Sequence, residues 1–78
     1  MGFKLSVMTV PHGTVTFNVR NDGQVEHDFR IEGKGTAVLQ PGESESLVVP
    51  LPKPGKFTFL CTISGHAGAG MIGVLAVT

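Results

Sequence analysis

The chain has 78 residues, with six basic and six acidic side chains and no formal net charge. That length makes one domain, residues 1–78, near the lower limit of what a single hydrophobic core sustains without a metal or another staple. It leaves no room for a second, catalytic domain, and the balanced charge gives neither a nucleic-acid footprint nor a basic membrane-surface patch. No apolar run reaches the ~20 residues of a spanning helix, and the N-terminus lacks the pattern of a signal peptide. Met1-Gly2 running straight into Phe3 reads as an expression start, with any export signal or anchor removed. The one cysteine cannot close an internal disulfide, so it is a buried thiol, an intermolecular bridge or a metal ligand.

Phe3-Lys-Leu-Ser-Val7 alternates apolar and polar residues and predicts a strand. Met8-Thr-Val10 continues it after a change of parity that marks a bulge or bend, with Met8 expected in the core. Pro11-His-Gly13 is a turn, and His12 is expected to be a solvent-exposed loop residue. Thr14-Val-Thr-Phe-Asn-Val-Arg20 puts Val15, Phe17 and Val19 on one face and polar residues on the other, as a half-buried strand does. Asn21-Asp-Gly23 breaks the run.

The next predicted strand, Glu26 to Glu32, turns His27, Phe29 and Ile31 inward and so places a histidine on the core face. Residues 33–42 are glycine-rich, with Ala37-Val-Leu39 as their apolar content, and Gln40-Pro-Gly-Glu43 is a second turn. Glu43 to Leu51 reads as a strand with Leu47, Val49 and Leu51 on one side, and Pro50, Pro52 and Pro54 end it in a stiff crossover. Gly55 to Cys61 sets Phe57, Phe59 and Cys61 on a shared face, and Gly73 to Thr78 closes the chain. Six to eight short strands without interleaved helices predict an all-β fold, a small Greek-key β-sandwich or barrel.

Chemistry concentrates in Cys61-Thr-Ile-Ser-Gly-His66-Ala-Gly-Ala-Gly-Met71. A thiolate, an imidazole and a thioether at C-x4-H-x4-M spacing suit a copper ion that has to be stable as both Cu(I) and Cu(II). Zinc would want a second thiolate, a carboxylate or more histidine. The loop is one ligand short, and strand parity supplies it: His27 and Cys61 both point between the sheets at strand ends. A core-facing imidazole left unpaired costs about 1–3 kcal/mol, so His27 needs a partner. His27, Cys61 and His66 with a long axial Met71 is the arrangement of a blue-copper electron-transfer centre. Taken singly, each residue also has an ordinary structural role, Cys61 as a small buried hydrophobe, His27 as a hydrogen-bonded core histidine and Met71 as packing. Loop spacing and shared parity together favour the metal.

These residues resemble those of the cupredoxins, the type 1 blue-copper proteins. The matching pattern is a first histidine after a strand, Val25-Glu-His27-Asp-Phe29, and later an aromatic strand, Phe57-Thr-Phe-Leu-Cys61, running into the loop that ends at Met71. Gly13 to Asn21 and Leu39-Gln-Pro-Gly-Glu43 extend the resemblance over nearly the whole chain. The ligand spacing looks most like the rusticyanin and sulfocyanin branch or the bacterial plastocyanin/azurin-like proteins. The resemblance implies a cupredoxin sandwich, one copper ion held by His27, Cys61, His66 and Met71, and one-electron transfer without an enzymatic reaction. It also implies a periplasmic or otherwise extracytoplasmic location. Asp28 stands where the family often has Asn or Ser tying two ligand loops together. It is expected to accept hydrogen bonds from Thr62 and, as a carboxylate near copper, to favour Cu(II) and lower the reduction potential. The chain is shorter than most cupredoxins, chiefly between Ile31 and Leu39.

A thiolate and two neutral imidazoles give about +1 with Cu(II) and about zero with Cu(I), so no proton need accompany the electron. His66, flanked by Ala67, Gly68, Ala69, Gly70 and Ile72, is expected to show its ring edge in a small apolar patch where redox protein partners dock weakly. Acid competes with copper for its nitrogen in the reduced state. A monomer is expected. A multicopper oxidase would need His-x-His motifs beyond what three histidines supply, and a dinuclear centre would need a second cysteine. No Ser/His/Asp or paired-carboxylate arrangement stands out. The alternatives are a copper-binding carrier or storage module that delivers the ion instead of the electron, and a sandwich with a vestigial site.

Overall fold

The computed structural model describes residues 2–78 and forms seven strands, with no helix among the described residues. They are β1 (Thr9–Val10), β2 (Gly13–Arg20), β3 (Arg30–Ile31), β4 (Lys34–Gly35), β5 (Ser44–Leu51), β6 (Gly55–Leu60) and β7 (Ile72–Val77). One sheet has the order β1-β7-β6-β3-β4, and β2 pairs with β5 in a second, two-stranded sheet. The β1–β2, β2–β3, β4–β5 and β5–β6 connections each cross from one sheet to the other, which makes the small β-sandwich expected from the alternation. No helix here is long and apolar enough to cross a membrane.

Alternation sets the core directly. In β2, Val15, Phe17 and Val19 turn inward, as do Leu47, Val49 and Leu51 of β5, and they meet Ile31, Phe59, Leu75 and Val77 from the larger sheet and Phe29 just before β3. Aromatic rings form its centre: Phe29 stacks on Phe59 at 5.6 Å, and Phe3 meets both edge-on at 5.5 Å. Two turns fix the register. Glu32 and Gly33 both have positive φ, 47° and 73°, as a two-residue hairpin between β3 and β4 requires. Gly42, at φ 87°, follows Pro41 in the Gln40–Glu43 turn, closed by Glu43 N–H donating to Gln40 O at 3.0 Å.

Four expectations need correction. Phe3 to Val7 lays Phe3 and Leu5 on the core but joins no ladder, because alternation buries side chains without giving the backbone a neighbour. Met8 is 52% exposed: a bend at this residue turns its side chain to solvent just before the parallel pairing of Thr9 with Ala76 begins. The strand expected over Glu26 to Glu32 is reduced to Arg30–Ile31 and a single bridge between His27 and Leu39. The Phe29 N–H donates to Thr36 Oγ1, so a side chain replaces the ladder there. Pro50 lies within β5 opposite Thr14 instead of ending the strand.

Candidate metal centre

Cys61 follows β6 directly and is 1% exposed, on the inward parity of Phe57 and Phe59. Leu60 pairs with Ile72 as the last rung between β6 and β7, and Cys61 N–H then donates to Met71 O at 3.0 Å. The base of the ligand loop is thus clamped, with its first and last candidate ligands opposite each other. Inside the loop the backbone satisfies itself: His66 N–H donates to Ile63 O, Ala69 N–H to Gly65 O and Met71 N–H to His66 O. Gly65, at φ 81°, allows the tight reversal before His66. Met71 is buried and tied through its backbone to both Cys61 and His66.

His27 reaches the same place from the other side of the chain. Its N–H donates to Leu39 O at 3.0 Å and its carbonyl accepts from Leu39 N–H at 2.7 Å. Gly23 packs on its ring so closely that a Cβ there would stand 3.0 Å from Nε2. His27 Nδ1 and His66 Nδ1 are 3.1 Å apart, and Cys61 Sγ is 3.5 Å from His66 Nδ1. The three donor atoms lie within 4.8 Å of one another.

Burial, and then the neighbouring His66, lower the pKa of His27 and favour the neutral ring that can ligate a metal. Burial pushes the Cys61 thiol up, with the Asp28 carboxylate adding to the shift, and a bound cation would take the place of the thiol proton. The donors fit a first-row metal, whose bonds of about 2.0 Å to nitrogen and 2.3 Å to sulfur match these separations. A thiolate, two imidazoles and a nearby thioether select copper over zinc or a hard cation.

Asp28 accepts the hydrogen bonds expected from Thr62. It is 7% exposed and accepts from Thr62 N–H at 2.6 Å and from the Thr62 hydroxyl. Burial alone would raise its pKa, but these two hydrogen bonds hold the carboxyl below its ordinary value. The bridge joins the His27 segment to the Cys61 loop.

Asn21 was legible only as a turn residue. In the structure it is 4% exposed: its Nδ2 donates to Val25 O at 2.9 Å and to Leu39 O at 2.8 Å, and its Oδ1 accepts from Gly23 N–H at 2.9 Å. It fastens the loop before His27 to the loop bearing Leu39. The Asn-x-Gly pattern signals the turn, whereas the reach to Leu39 has no local signature. His12 stays outside the site, exposed, with Nδ1 2.8 Å from Thr78 O.

A family model described as "Cupredoxin-like domain" matches residues 1–74. The copper-resistant cuproprotein CopI of Vibrio cholerae is 29% identical over 91 aligned residues, covering 90% of this chain and 54% of that protein. CopI of Rubrivivax gelatinosus is 30% identical over 99 aligned residues, covering 99% of this chain and 60% of its own length. Auracyanin-B of Chloroflexus aurantiacus is 49% identical over 43 residues, 55% of this chain and 18% of that protein. The chain spans 60% or less of the length of each of these relatives.

Among solved structures, dithionite-reduced auracyanin from Roseiflexus castenholzii superposes with a TM-score of 0.82 at 27% identity, over 99% of this chain and 83% of that one. Auracyanin B gives 0.81 at 25% identity, over 91% and 76%. These similarities support the family and not the finer rusticyanin or sulfocyanin grouping suggested by the loop spacing. Together with the clustered donors, they indicate one copper ion as the cofactor. The chain belongs to the cupredoxin-like domain family.

Proposed function

We propose that this domain transfers single electrons through a mononuclear type 1 copper centre held by His27, Cys61 and His66, with Met71 as the axial ligand. The observation that carries the reading is the convergence of two imidazole nitrogens and a thiolate-forming sulfur within 4.8 Å at one end of the sandwich's strands. Copper supplies two oxidation states one electron apart; the chain's own residues supply a fixed frame. Cys61 and Met71 are locked across the loop base, Asp28 ties the Cys61 loop to the His27 segment, and Asn21 steadies the loops on either side of His27. A frame that moves little between oxidation states suits a fast carrier. His66 is half-buried on a loop next to Ile72, which is 53% exposed, and is the electron port of this proposal, with redox protein partners docking beside it. A monomeric, extracytoplasmic carrier without an enzymatic reaction completes the reading.

A second reading is copper handling without a redox role. It is favoured by the two relatives named copper-resistant cuproproteins, both longer than this chain. A visible absorption spectrum separates the two. With Cu(II), electron transfer requires an intense blue band that bleaches with ascorbate and returns on reoxidation, and Cys61→Ser should abolish it. A protein that binds copper without colour, or gives the ion up readily to a chelator, would support the carrier reading instead.

A further inference from the structure

Gly23 lies in the turn between β2 and His27, and its backbone does not call for glycine, because its φ is not among the positive values of this chain's glycines. What the position calls for is space. A Cβ on Gly23 would stand 3.0 Å from His27 Nε2 and 3.2 Å from His27 Cδ2, with Asn21 Oδ1 also at 3.2 Å. Side-chain contacts that close are uncommon, so any larger residue here has to push a neighbour aside by a few tenths of an ångström.

The surroundings decide which neighbour gives way. Asn21 is 4% exposed and its side chain is held by three hydrogen bonds, two of them to Val25 O and Leu39 O. The turn is fastened to the same amide on both sides of Gly23, through the Gly23 N–H on Asn21 Oδ1 and through Val25 O. The backbone of His27 is fixed by its two hydrogen bonds with Leu39. That leaves the His27 ring. It is half-buried, its one side-chain hydrogen-bond contact among the described residues is His66 Nδ1 at 3.1 Å, and it turns about its own side-chain bonds. The push falls on the Nε2–Cδ2 edge, and Nδ1, on the opposite side of the ring, moves with it.

We propose that Gly23 is a positioning residue of the metal centre. Its missing side chain is the space in which the His27 ring settles, and so it sets where Nδ1 stands relative to Cys61 Sγ and His66 Nδ1. A displacement of a few tenths of an ångström is a large part of the ~0.5 Å within which a functional constellation has to be held. The Cys61 loop, clamped at its base by the Cys61 N–H on Met71 O, does not follow such a shift, so the two halves of the centre would fall out of match. The ligand role of His27 rests on the copper reading above; the packing of Gly23 on its ring does not.

The test compares the wild-type chain with Gly23→Ala and, as a control on the same exposed turn, Gln24→Ala. In the metal-free proteins, NMR of Gly23→Ala should show a contact between the new methyl group and the His27 ring, shifted His27 ring signals, an unmoved Asn21 side-chain amide and unchanged backbone signals from β6 and β7. With Cu(II), Gly23→Ala should shift the blue band, and chelator competition should find copper bound about tenfold more weakly, as when a group that orients a ligand is altered. Gly23→Ser, with its Cβ at the same point, should repeat these effects, and Gln24→Ala should match the wild type throughout. A blue wild type whose band and copper affinity are unchanged in Gly23→Ala overturns the proposal and leaves the copper reading standing. So does a moved Asn21 amide beside unmoved His27 ring signals, which would show the turn yielding in place of the ring. A colourless wild type overturns the copper reading instead, and the metal-free NMR then decides whether Gly23 positions the ring.

Discussion

Asp28 shows how much one side chain decides at this site. A neutral Asn could accept from the Thr62 N–H through its one oxygen and donate its amide N–H to the Thr62 hydroxyl, but it would not carry a negative charge beside the Cys61 loop. Asp28→Asn is therefore expected to leave the fold intact and raise the reduction potential, by roughly 40–90 mV for an interaction of about 1–2 kcal/mol with one electron. Cyclic voltammetry of the two proteins measures this, and an unchanged or lowered potential would rule out the electrostatic role. Asn21 acts through shape instead of charge. Asn21→Ala removes the side-chain donor to Val25 O and to Leu39 O, the latter keeping its bond from the His27 N–H, and should cost about 1–3 kcal/mol in urea unfolding. Its spectroscopic sign would be a broadened or shifted copper band, because the loops on either side of His27 lose their common anchor.

The pairing of β6 with β7 does more than close the larger sheet. It brings Cys61 and Met71 together by running the ladder up to the Leu60–Ile72 rung, so the geometry of the loop depends on the register below it. Gly73 sits opposite Phe59 in that ladder, and a Cβ there would fall 2.4 Å from the Phe59 ring. Phe59 is 2% exposed and stacked on Phe29, so it has nowhere to move. Gly73→Ala should therefore destabilise the fold by about 1–3 kcal/mol, visible as a lower urea midpoint. Gly65→Ala meets no such contact, and its cost should come from the backbone, about 1 kcal/mol for an L residue at positive φ.

For the whole molecule, half-buried His27 and buried Asp28 make the metal-free fold sensitive to acid. His27 has a lowered pKa, so the unfolded chain binds its proton first, and stability should begin to fall as pH drops below about 6.5. Asp28, also lowered, contributes stability above its ordinary value of about 3.8–3.9 that is lost as pH falls through the depressed native value. Urea midpoints measured without copper should thus decline in two stages, with the second absent in Asp28→Asn. Copper at a hundred times its dissociation constant should add about 2.7 kcal/mol and raise Tm, provided the unfolded chain does not bind it. What repeats or lies close along the chain was legible without the fold: the inward faces of β2, β5 and β6, the C-x4-H-x4-M loop, and the parity that turns His27 toward it. Side-chain alternation and covalent spacing are local properties, so they can be read without knowing any neighbour. Long-range packing was needed to show that residues 3–7 join no ladder among the described residues, that Met8 faces solvent, that Thr36 takes over a rung at Phe29, and that Asn21 reaches Leu39. The carbonyl that Asn21 meets is 18 residues away along the chain, and whether a backbone group finds a partner depends on which distant strand the fold sets beside it.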